Sequence, residues 1–120
     1  MKRKLAALAL AFLAAGCATP GNISGDTDRF EKDSAKTPRE AAHCVARNAE
    51  KMTSGLYFRN SARIQPGEAP ETMEVVHTGL GDAISVTLIT PQPAGSRMVV
   101  RYHRSKVMGG VSPELSVEGC

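Results

Sequence analysis

The chain has 120 residues with 15 Lys and Arg against 12 Asp and Glu, and three of its basic residues crowd the start as Lys2, Arg3 and Lys4. Beyond those three the charges balance, which excludes the net basic surface that a nucleic-acid partner requires. There is no tryptophan and only 4% aromatic residues, too few for a platform that stacks bases or sugars.

The three basic residues lead into an apolar run from Leu5 to Ala15, followed by Gly16 and Cys17. At 1.5 Å per helical residue the run spans about 17 Å, short of the roughly 30 Å of a bilayer core, so a permanent transmembrane anchor is not expected. The order of basic region, greasy region and small residues is that of a bacterial export signal. With a cysteine directly after Leu13-Ala14-Ala15-Gly16, the segment resembles the lipobox of bacterial lipoproteins. Its leucine stands at the fourth position before the cysteine, where the commonest form has it at the third. The resemblance implies that 1–16 is a signal peptide and that Cys17 is lipidated, palmitate included, and becomes the first residue of the mature protein. One acyl chain holds a protein marginally, while two or more hold it stably. Ala18, not aspartate, follows the cysteine. In Gram-negative lipoproteins this implies sorting to the outer membrane, facing the periplasm. The alternative is an ordinary cleaved signal in which Cys17 is incidental.

Residues 17–36 are poor in large apolar side chains, with Ile23 and Phe30 among Gly, Ser, Asp and Lys. Such a stretch buries too little surface to offset its ordering entropy, so a flexible tether is expected. Thr37-Pro38-Arg39-Glu40 then opens the domain 37–120 with a helix start: threonine at the N-cap, proline in the first turn, glutamate at the capping-box position. The helix is predicted to run to about Met52 and to stop near Ser54-Gly55, where glycine takes the left-handed conformation. Ala41, Cys44, Val45, Asn48 and Met52 share its inward face, and His43, Arg47, Glu50 and Lys51 fall largely on the other.

After Gly55 the period changes to two. Leu56–Ile64 is a weak strand, broken near Asn60-Ser61, and Met73–Thr78 is a better one. Ile84, Val86 and Leu88 are expected inward on a third strand, and Met98, Val100 and Tyr102 inward on a fourth. Pro91–Gly95 makes these two a hairpin. A last strand is expected over Leu115–Gly119. One helix followed by strands predicts an α+β fold: a single N-terminal helix on one face of an antiparallel sheet of four to five strands.

With Cys17 assigned to lipid, Cys44 and Cys120 remain as a pair, and an oxidising compartment favours their bridging. The bridge would tie the helix to the last strand, in a domain small enough to need a staple. Two free buried thiols are the alternative.

No catalytic pattern emerges. His43 adjoins Cys44, but adjacent helix residues point about 100° apart and do not converge. Ser105 and the other serines lack a nucleophile elbow. Gly79-Leu80-Gly81 lacks the third glycine and the helix of a dinucleotide fingerprint. His43, His77 and His103 show no metal-ligand spacing, and neither a metal nor another cofactor is expected. The candidate surface is electrostatic. Arg97, Arg101, His103, Arg104 and Lys106 crowd one strand and its end, with Arg97, Arg101 and His103 on one face. Either the acidic residues Glu68, Glu71, Glu74 and Asp82 neutralise this field across the sheet, or it contacts an anionic partner such as lipid head groups, a periplasmic protein or a cell-wall polymer.

The layout resembles small proteobacterial lipoproteins with one cysteine in a leading helix and another at the chain end. The expectation is a non-enzymatic, membrane-tethered periplasmic module that binds a partner or supports envelope structure. The rival is an inhibitor of an envelope hydrolase such as lysozyme, which would show an acidic face around Glu68 to Asp82.

Overall fold

The computed structural model describes residues 28–54, 58–79, 82–102 and 112–120. One helix, α1 (Pro38–Lys51), packs on a five-stranded antiparallel sheet. The sheet strands are β1 (Asp28–Ser34), β4 (Ser61–Pro66), β5 (Met73–Gly79), β6 (Asp82–Gln92) and β7 (Gly95–Tyr102), in the order β1-β7-β6-β5-β4. Two short strands, β2 (Thr53–Ser54) and β3 (Phe58–Arg59), pair with each other. Among the described residues no helix is long and apolar enough to cross a membrane.

The helix begins as its sequence dictates. Thr37 is the N-cap, its hydroxyl accepting from the Glu40 N–H at 3.3 Å, with Pro38 in the first turn. Ala41, Ala42, Cys44, Val45, Ala46 and Ala49 are buried, and His43, Arg47, Glu50 and Lys51 are exposed. A face built of small side chains lets the helix axis lie close to β4, β5 and β6. The helix ends at Lys51, and Gly55, the glycine expected to stop it, lies outside the described residues. Met52 is already extended at ψ 154 and leads straight into β2. Asn60 breaks the next strand as expected: it is buried between β3 and β4, and its N–H donates to the Met52 carbonyl at 3.1 Å.

The hairpin of β6 and β7 turns through Pro93-Ala94. Gly95 sits at φ 138, and a Cβ there would lie 2.0 Å from the Ser34 carbonyl oxygen, so only glycine lets this turn abut the end of β1. On β7, Met98, Val100 and Tyr102 face the helix and are buried, as their alternation predicts.

Three expectations are corrected. The tether does not extend through residue 36: Asp28–Ser34 is the edge strand β1, fully paired with β7. Its backbone bonds to one neighbour and its charges stay in water, so it needs little apolar content. On β6 the inward side chains are Ser85, Thr87 and Ile89, not Ile84, Val86 and Leu88. They stand in register with His77, Val75 and Met73 on one side and Tyr102, Val100 and Met98 on the other. A bulge at His77/Thr78 shifts the register where Ile84 lies. A central strand has apolar neighbours on both faces, so its own alternation does not decide which side turns inward.

The third correction concerns the C-terminus. Pro113–Val117 is a 3-10 helix, not part of a strand. Proline has no N–H for a ladder, and i→i+3 bonds form instead, from Leu115 N–H to Ser112 O at 3.0 Å and from Cys120 N–H to Val117 O at 3.1 Å. This turn packs beside α1 and over β7. Asn48 Nδ2 of the helix donates to the carbonyls of Ser116 and Glu118 at 3.0 and 2.9 Å, and Lys32 Nζ of β1 donates to the Val117 carbonyl at 3.3 Å. Cys44 and Cys120 form a disulfide across 5.7 Å between Cα atoms. The bridge thus ties the helix to this turn.

Candidate functional site

The register of the sheet defines its open face, the one opposite α1. One row across all five strands reads Arg29, Arg101, Val86, Val76 and Arg63, and spans about 19 Å at ~4.8 Å per strand. The next row reads Glu31, Val99, Leu88, Glu74 and Gln65. The centre is therefore apolar and the flanks are charged. Val76 and Val99 are buried there, Val86 and Leu88 half-buried, and Arg63 and Arg101 exposed.

Arg97 and Arg101 share this face, as their spacing predicts. His103, Arg104 and Lys106 lie outside the described residues, as does Cys17. Among the described residues the basic strand is partly neutralised from β1, and not by Glu68, Glu71 or Glu74. Glu31 of β1 pairs with both Arg97 and Arg29, and Asp33 lies 3.6 Å from Arg97. Hydrogen bonds from Arg97 and then Arg29 hold the Glu31 carboxyl below its usual range, and Glu31 raises Arg97 in return. Glu68 and Glu71 stand exposed on the turn between β4 and β5, and Glu74 accepts from Gln65 Nε2 at 2.9 Å. Arg63 and Arg101 make no ion pair with a described residue.

A second polar feature lies on the helix-facing side and was not singled out by motif. His77 and Ser85 are cross-strand partners, 1% and 0% exposed. Among the described residues, both ring nitrogens of His77 and the Ser85 hydroxyl have no hydrogen-bond partner. Burial alone drives the imidazole pKa from 6.5 down to about 4, so it is neutral at pH 7. The signal in the sequence was positional: His77 follows Val75 by two residues, on the inward side of a strand. Tyr102, next along the same row, donates its hydroxyl to Glu114 of the C-terminal turn.

His43 is exposed on α1, and the sulfur of Cys44 is held in the disulfide. Among the described residues no group of three or more His, Cys, Asp or Glu side chains converges to hold a metal ion. No family model matches the chain, and neither does any curated protein or solved structure.

Proposed function

We propose that the protein is a lipid-anchored module of the bacterial envelope, held in the outer membrane by acylated Cys17 with its domain in the periplasm. The observation that carries this reading is the Cys44–Cys120 disulfide. A bridge of this kind belongs to an oxidising compartment, and it uses both cysteines of the folded domain. Cys17 is then the single cysteine left over, directly after Leu13-Ala14-Ala15-Gly16. The domain acts without catalysis, presenting the open sheet face to an anionic envelope component or periplasmic protein. Arg63 and Arg101 bracket the apolar centre of that face, and Arg97 serves mainly to fasten β1. A second reading, inhibition of a cationic hydrolase such as lysozyme, draws support from Glu68 and Glu71, both exposed on one turn.

Metabolic labelling with a palmitate analogue tests the anchor. The wild-type chain takes up label and fractionates with membranes, whereas Cys17→Ser loses the label completely. Label persisting on Cys17→Ser, or missing from the wild type, rejects the proposal.

A further inference from the structure

Two large apolar side chains stand out to solvent among the described residues: Phe30 at 37% exposure and Leu115 at 49%. They are far apart in sequence yet share one flank of the fold. Phe30 projects from the edge strand β1 in register with Val100, between Asp28 opposite Tyr102 and Lys32 opposite Met98. The 3-10 helix bearing Leu115 is fastened at both ends of that stretch, by the Tyr102 hydroxyl to Glu114 and by Lys32 Nζ to the Val117 carbonyl. Pro113, Ser116 and Val117 are buried, which leaves Leu115 on the outer side of the turn.

The charged side chains nearby, Lys32 against Asp28 and Glu118, give this flank no positive excess, so it does not suit an acidic polymer. Phenylalanine and leucine are side chains that interfacial segments bury at the boundary of head groups and acyl chains. The covalent path supplies the rest. Asp28 is 11 residues after Cys17, a separation of at most about 40 Å when fully extended. Of the described strands, β1 is the one that chain connectivity brings first to a membrane holding Cys17.

We infer that the Phe30–Leu115 flank rests on the zwitterionic phospholipid surface into which the acyl chains of Cys17 insert, a step that builds on the lipid-anchor reading. The sheet then stands edge-on, with β1 toward the bilayer and β4 away from it. Its open face is left clear at the side for a partner.

The absence of tryptophan provides a clean reporter. Phe30→Trp, Leu115→Trp and, on the distant turn between β4 and β5, Ala69→Trp are prepared as full-length protein. Each is mixed with phosphatidylethanolamine–phosphatidylcholine vesicles carrying brominated acyl chains, and intact mass records whether Cys17 is acylated. The indoles introduced at positions 30 and 115 are expected to lose most of their emission and shift to the blue, while the one at position 69 stays bright. Equal quenching at all three positions, or none at 30 and 115, overturns the inference. So does a blue shift in the Phe30→Trp variant that needs no vesicles and grows with protein concentration, which marks contact between copies. An unacylated chain that still shows quenching at 30 and 115 sinks the anchor alone and keeps the flank.

Discussion

Replacing Cys44 and Cys120 together with serine is expected to remove about 4–5 kcal/mol of stability, the chain-entropy value for a loop of this length. The cross-link spans 76 positions, so it denies the unfolded chain a large share of its conformations. A domain of this size has only about 5–15 kcal/mol in total, and at about 4–8 °C per kcal/mol the melting temperature should fall by about 20 °C or more. The loss should begin at the C-terminus. Without the bridge the C-terminal turn is held by hydrogen bonds from Lys32, Ser34, Asn48 and Tyr102 and by its packing beside α1 and over β7. Thermal unfolding of the wild type with and without reductant, beside the double variant, checks this. The reduced wild type should match the variant. A shift of a few degrees in either would mean that the packing of the turn, and not the bridge, holds the two ends together.

Acidification is expected to destabilise the domain through His77. Its folded-state pKa of about 4 lies below the ordinary 6.5, because the buried ring is better left neutral. Above pH 6.5 neither state binds the proton and the stability is whole. As the pH falls from 6.5 toward 4 the unfolded chain takes up a proton that the folded chain refuses. Stability is lost across that window, by roughly 3 kcal/mol in all. Glu31 acts in the same direction at lower pH, since its carboxyl is held below its usual range. Urea midpoints measured from pH 7.5 to 4 should therefore fall steeply for the wild type. His77→Leu should flatten the curve between pH 6.5 and 4.5. At pH 7 the variant should be no less stable, because it removes unpaired buried nitrogens. A variant with the wild-type slope would assign the acid sensitivity elsewhere.

Much of the architecture was legible because local signals agreed with the tertiary result. Thr37-Pro38-Arg39-Glu40 marks the start of α1 by capping chemistry, and the Pro93-Ala94-Gly95 turn pins the β6–β7 hairpin. The bridge followed from assigning one cysteine elsewhere. What escaped were features fixed by neighbours. β1 looks disordered by composition, yet Arg29, Glu31 and Asp33 alternate with Phe30, Lys32 and Ser34 at a strand period. The same alternation supplies the carboxylates that neutralise Arg97, which sequence distance assigned to residues 68–82. On β6, Ser85 and Thr87 turn inward because β5 and β7 fix the register, so a polar side chain occupies a core position. Pro113 was the readable warning against a final strand. The open face was half visible: the spacing of Arg97 and Arg101 puts them together, but only the sheet order brings Arg63 into their row.

Intact-mass analysis of the detergent-extracted protein, without reductant, probes the division of the three cysteines. The expected species begins at Cys17, carries at least a diacylglyceryl group and lacks the thiol hydrogens of Cys44 and Cys120. A mature chain with an unmodified Cys17, or with an alkylatable thiol at Cys44 or Cys120, would contradict it.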